Sequence, residues 1–171
     1  MNEAQTNIKT VKAETNHSSG RYLQTLVSVQ KFYLITYGCG DKFDIKLFKP
    51  IKNRMHTKPE GGLWGSPVDC EYGWRQWCED EGYGDLSSKF KTNCIGNTLI
   101  INHLVDLNNF IWQKNDHCND FPDYEKMLKS GVDIIYLTES GQRETRFSNP
   151  GLYGYDCESV LIMNPACILT R

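Results

Sequence analysis

The chain has no run of apolar residues approaching the roughly 20 needed to cross a bilayer, and it opens on polar residues rather than a secretory apolar stretch. No membrane partner is expected, and the cytoplasm is the expected location. It also lacks any C-x-x-C pair. Its seven cysteines (Cys39, Cys70, Cys78, Cys94, Cys118, Cys157 and Cys167) are odd in number. The histidines His17, His56, His103 and His117 show neither i,i+4 pairing nor zinc-type spacing with them. Free thiols are expected, with no disulfide framework and no metal site. Charge of one sign is in little excess: 19 basic against 21 acidic residues leave a net charge of −2, which supplies no overall pull toward phosphate backbones or anionic lipid. Internal repeats and low-complexity segments are missing as well.

What is present is a folding composition. Hydrophobic residues at 39% and aromatics at 12% are too many for a disordered chain, and 171 residues suffice for one domain with its own core. Residues 1–21 are polar and aperiodic and end in Ser-Ser-Gly, which predicts a flexible tail ahead of a single domain over 22–171. Along that domain, Phe32 to Tyr37 reads as a core strand stopped by Gly38 and Gly40, and Phe43 to Phe48 alternates as a half-buried strand. A short strand falls between Gly61 and Pro67, an amphipathic helix over Tyr72 to Glu81, and a strand followed by a helical turn over Thr98 to Trp112. Asp120 to Gly131 predicts a helix with Pro122 in its first turn. Val132 to Leu137 predicts a strand, Glu139 to Cys157 a long polar loop, and Ser159 to Met163 a last strand. Strands outnumber helices, so the expected class is α+β with a mainly antiparallel sheet.

The most informative stretch is Tyr155-Asp156-Cys157-Glu158-Ser159-Val160-Leu161-Ile162-Met163-Asn164-Pro165, in which a glutamate opens an apolar strand that ends in an Asn-Pro turn. It resembles the catalytic-strand region of ADP-ribosyltransferases. The helix, Gly-x-Asp turn and strand over Tyr124 to Ile135 are similar to those that precede this glutamate in many members. Gly62-Leu63-Trp64-Gly65-Ser66-Pro67 with the following helix resembles the family's Gly-aromatic-Ser/Thr strand, and Tyr37-Gly38 resembles the end of its first NAD-binding strand. The four blocks come in the family's order and span most of Phe32 to Ile168. The chain departs from the common pattern in having Thr36-Tyr37-Gly38 at the first block, and Asp156 two residues before the glutamate.

The resemblance implies an ADP-ribosyltransferase-like fold, a split and mainly antiparallel sheet with a few short helices. It also implies an NAD-dependent mono-ADP-ribosyltransferase with no metal. In that chemistry the bond between nicotinamide and ribose breaks with oxocarbenium character, and a carboxylate opposite the developing charge stabilises it. Glu158 takes this role. Tyr37, Gly38, Trp64, Ser66 and Tyr72 would bind NAD, with Gly38 admitting the nicotinamide amide to the backbone, Trp64 or Tyr72 stacking on its ring, and Ser66 bracing Glu158 or the ribose. The loop before Glu158 would meet the acceptor through Arg143, Arg146, Tyr153, Tyr155 and Asp156. Its arginines and aromatics suit phosphate contact and base stacking, which favours a nucleic-acid acceptor, RNA or DNA. The basic run Lys49, Lys52, Arg54 and Lys58 would add backbone contacts.

The implied setting is that of a small bacterial toxin or effector of a toxin–antitoxin phage-defence system, which would be restrained by a neutralising antitoxin. A protein acceptor, NAD glycohydrolysis with water as acceptor, and a non-catalytic binding module are the alternatives. Release of nicotinamide and labelling of macromolecules separate them.

Overall fold

The computed structural model describes residues 27–114 and 120–169. The expectation of a flexible tail over 1–21 lies outside these residues. Within them the chain is α+β, mostly sheet with a few short helices. Eight strands are described: β1 (Val27–Tyr37), β2 (Leu63–Pro67), β3 (Lys89–Ile101), β4 (Trp112–Gln113), β5 (Phe121–Pro122), β6 (Ile134–Leu137), β7 (Ser159–Ile162) and β8 (Ile168–Leu169). The helices are α1 (Trp74–Glu81), α2 (Tyr124–Lys129) and α3 (Glu139–Thr145).

The main sheet runs β1-β2-β7-β6-β3-β8, and β1 also pairs with β3 along its whole length, from Val27↔Leu99 to Tyr37↔Lys89. That pairing joins β1, β2, β7, β6 and β3 into a closed ring. The sheet is therefore continuous rather than split, because β1 is long enough to hold β3 on one edge and β2, at Leu34↔Pro67 and Ile35↔Ser66, on the other. All these pairings are antiparallel except β3 with β6, whose register runs from Thr98↔Ile134 to Ile101↔Leu137. β4 and β5 form a separate two-stranded ribbon.

Because side chains alternate across a strand, the ring has two faces. Leu34, Cys94, Ile134, Val160 and Ile162 pack together on the inner face, joined by Phe32 and Tyr136. Leu99, Ile101, Ile135, Leu137 and Leu161 point the other way, where they pack with Tyr124 and Met127 of α2, Leu152, Tyr155 and Met163. The apolar run at Ile134–Leu137 reflects burial on both faces.

Four segments differ from their sequence reading. Phe43 to Phe48 is not a strand: Ile45–Leu47 form a 3-10 turn whose cap, Asp44, accepts from the Lys46 N–H at 2.9 Å, and Ile45 and Leu47 face solvent. The local Asx geometry outcompetes the alternating pattern. Helix α2 begins only at Tyr124, with Asp123 as N-cap accepting from Lys126 N–H, so Pro122 sits in β5 instead of the first helical turn. The polar segment after Leu137 starts with a helix: Thr138 caps α3 by accepting from the Gly141 N–H at 3.2 Å, and an arginine lies in its last turn. Strand β3 also begins at Lys89, well before the expected Thr98.

Candidate functional site

The β1–β2 register brings the end of β1 beside β2, and β2 pairs in turn with β7 through Trp64↔Leu161 and Gly65↔Val160. The Thr36 hydroxyl ties the first two strands by donating to the Trp64 carbonyl at 2.7 Å. A cleft of about 250 Å³ opens over these strands. Ile35, Thr36 and Tyr37 of β1 and Trp64, Gly65 and Ser66 of β2 form its floor, while Trp74 of α1 closes one side. Asp156, Cys157 and Ser159 close another, and Lys58 and Cys39 complete the rim.

Glu158 sits at the junction. Its N–H donates to the Tyr72 carbonyl at 3.1 Å, and its own carbonyl accepts from the Ser66 hydroxyl at 2.9 Å. The same Ser66 oxygen accepts from Trp74 N–H at 2.9 Å, so one buried hydroxyl fixes both Glu158 and the first turn of α1. The neighbours of Glu158, Cys157 and Ser159, line the cleft, and alternation turns the glutamate side chain to the opposite side. There the Tyr136 hydroxyl donates to Glu158 Oε1. Tyr136 is paired with Val160, two residues along from Glu158, a diagonal neighbour within reach of a long side chain.

The electrostatics follow from this seclusion. Burial, reinforced by the neighbouring Glu158 carboxylate, raises the Tyr136 phenol above its ordinary value. Burial and the charge of Glu158 likewise push the Cys70 thiol up to about 12. Burial raises Cys157 too, against hydrogen bonds from Ser159 and Ser66 that lower it. Neither of these two thiols is biased toward thiolate.

Of the residues expected to bind NAD, the structure brings Tyr37, Trp64 and Ser66 to the cleft. Gly38 is beside it in a left-handed conformation, φ +72°, and its N–H is already given to the Ser88 carbonyl at 3.0 Å. A side chain here would come within 3.0 Å of the Asp85 carbonyl, so glycine is required by the turn. Tyr72 contributes its carbonyl to Glu158, while its phenol interacts with Asp80.

Of the acceptor set, Asp156 is on the cleft wall, held between Arg146 Nη2 at 2.9 Å and Lys58 Nζ at 3.6 Å. Arg143 pairs with Glu139 on the exposed face of α3, and Tyr153 is 60% exposed. Tyr155 is 1% exposed: its hydroxyl meets that of Tyr124 at 2.8 Å and its ring packs edge-on to Trp64 at 5.1 Å. It is a core residue in this packing and does not reach an acceptor.

Sequence reasoning did not single out Tyr136, Cys70, Cys157 or Trp74. Nothing in the sequence pairs Tyr136 with Glu158, because that contact depends on the β6–β7 register. Among the described residues, no group of three or more His, Cys, Asp or Glu side chains is placed to hold a metal ion, and no helix is long and apolar enough to cross a membrane. No protein-family model, curated protein or solved structure matches the chain.

Proposed function

We propose that the chain is an NAD-dependent mono-ADP-ribosyltransferase with an ADP-ribosyltransferase-like fold whose sheet is closed rather than split. It moves ADP-ribose to an intracellular macromolecule, with a nucleic acid favoured as acceptor, in a toxin–antitoxin setting. The observation that carries the reading is convergence: segments around residues 36, 65, 74 and 157, remote in sequence, meet at one cleft beside Glu158. They belong to three of the four blocks on which the sequence resemblance rests; the Tyr124 to Ile135 block packs behind, away from the cleft lining.

The cleft volume, about 250 Å³, is below the roughly 300–1,000 Å³ of pockets that enclose a drug-sized ligand. It suits the nicotinamide–ribose end of NAD, with the rest of the dinucleotide outside. Trp64 offers an aromatic face, and Lys58 and Asp156 offer polar groups at the rim. In the reaction the ribose C1′–nitrogen bond breaks, the electron pair leaves on the nicotinamide nitrogen, and an acceptor oxygen or nitrogen bonds C1′ and loses its proton. The Glu158 carboxylate stabilises the positive charge on the ribose in between. Its side chain is turned toward Tyr136, so the reading requires either rotation into the cleft or a ribose bound on the Tyr136 side of the strand.

Glu158→Gln keeps the shape and removes the charge. Nicotinamide release from NAD and transfer of label to cell extract should both fall at least ~100-fold, with an unchanged circular dichroism spectrum. Near-normal nicotinamide release by the folded variant excludes Glu158 from the mechanism. Nuclease and protease digestion of labelled extract then reads the acceptor.

A further inference from the structure

We propose that Arg143, Arg146, Phe147 and Tyr153 form a surface that takes single-stranded nucleic acid next to the cleft. The segment that carries them and the loop around Thr57 lie far apart in sequence and abut in the fold. Lys52 pairs with Glu60 and closes the loop between them. The Thr57 carbonyl of that loop accepts from the Tyr124 hydroxyl, and the Thr57 hydroxyl donates to the Tyr153 carbonyl. A Cβ added at Gly154 would lie 3.2 Å from Thr57 Oγ1 and 3.9 Å from the His56 ring, so the contact is direct.

Beside this joint, Phe147 is 79% exposed and Tyr153 60%. The Phe147 and Tyr153 rings are 6.0 Å apart and tilted by 49°, and the Arg146 guanidinium lies 5.3 Å from the Phe147 centroid. Two large rings held this openly in water lose apolar burial that a stacked base would restore. A duplex keeps its bases stacked inside, whereas a single strand offers their faces.

Charge points the same way. The chain carries a net charge of −2. Around these rings, however, Lys58, Arg143 and Arg146 stand against Glu139 and Asp156 in the ion pairs made there. Lys58 connects the patch to the cleft, since it contacts Asp156 and lies 5.6 Å from the Trp64 ring centroid. A strand stacked on Phe147 and Tyr153 would run its backbone past Arg143 and Lys58 and bring a neighbouring nucleotide to the cleft. Transfer of ADP-ribose to that strand rests on the transferase reading; binding of the strand does not.

The test is fluorescence anisotropy of the full chain with labelled single-stranded RNA and DNA of about ten nucleotides, a length within the usual site range of such surfaces. The duplex of the same sequence and polyglutamate serve as competing probes. Binding should weaken at least about fivefold in Phe147→Ala and again in Tyr153→Ala, as loss of one stacked base does. It should persist in Phe147→Trp, and should weaken in Arg143→Ala with a shallower salt dependence. Because these side chains are exposed, the variants should fold, and circular dichroism checks that they do. Equal binding by the ring variants, or preference for duplex or polyglutamate, overturns the surface. Nicotinamide release and transfer of label from NAD to cell extract by the unaltered chain are measured in parallel. Stacking-dependent binding without label transfer supports the surface while refuting the transferase, and label transfer without binding does the reverse.

Discussion

Ser66 gives the clearest case of one side chain with two obligations, donating to the Glu158 carbonyl and accepting from the N–H that opens α1. It is 3% exposed, so water cannot replace it. Ser66→Ala orphans two backbone groups in a dry site, each worth roughly 1–3 kcal/mol, and should lower the unfolding free energy by about 2 kcal/mol or more. Urea denaturation measures this, and a loss under about half a kcal/mol, the level of an ordinary surface change, would show that neither bond matters. The sequence suggested that Ser66 braces Glu158; it holds the backbone rather than the carboxylate. The side-chain partner, Tyr136, was illegible because it is defined by strand register, which no local pattern states. Tyr155 was misjudged for a related reason. An aromatic residue in a polar, aperiodic segment reads as exposed, yet Tyr124, at the start of α2, accepts from its hydroxyl.

At the scale of elements, the strands with strong apolar or β-branched character, β1, β6 and β7, were legible at their cores. The ambiguity lay where polar residues dominate. The first half of β3, Lys89 to Asn97, is rich in lysine, threonine and asparagine and carried no element in the sequence reading; long pairing with β1 makes it a strand. Helix α3 was missed because its sequence, Glu-Ser-Gly-Gln-Arg-Glu-Thr, has no apolar face. Its inner positions are instead Gly141, Gln142 and Thr145, all buried. Gly141 explains the choice of a poor helix former: a Cβ there would lie 2.1 Å from the Ile101 carbonyl, so the helix rests directly on the end of β3. Gly141→Ala should gain about 1 kcal/mol of helix propensity and lose more to overpacking, which costs typically 1–3 kcal/mol and lies high in that range against rigid backbone. A lowered urea midpoint with an unchanged denaturant slope is expected. A raised midpoint would mean that α3 shifts freely off the strand.

At the scale of the whole molecule, the ring and the helices on its outer face are joined by a hydroxyl relay. Tyr124 gives its only hydroxyl proton to the Thr57 carbonyl, so Tyr155 must donate to Tyr124, and the Tyr155 ring leans on Trp64 of β2. Thus α2, the loop around Thr57, the segment before Glu158 and the cleft floor share one buried polar centre. Burial raises the phenols of Tyr124 and Tyr155 above the ordinary 10.0, and burial with the Glu158 charge raises that of Tyr136. A group whose folded pKa is raised binds more protons when folded than unfolded at high pH. Its stabilisation is therefore complete below pH 10 and is lost as pH climbs from there toward the folded values. Unfolding free energy should fall above about pH 10 with a slope of up to ~1.4 kcal/mol per pH unit for each such tyrosine. Tyr155→Phe removes one titrating group while Tyr124 keeps its bond to Thr57. The variant should be less stable at neutral pH, yet its alkaline slope should be shallower by close to one tyrosine's share. Urea titrations of both proteins between about pH 8 and 11 decide the matter. Parallel curves would mean that Tyr155 ionises alike in the folded and unfolded chain, and that the relay does not tie the cleft to the helical layer.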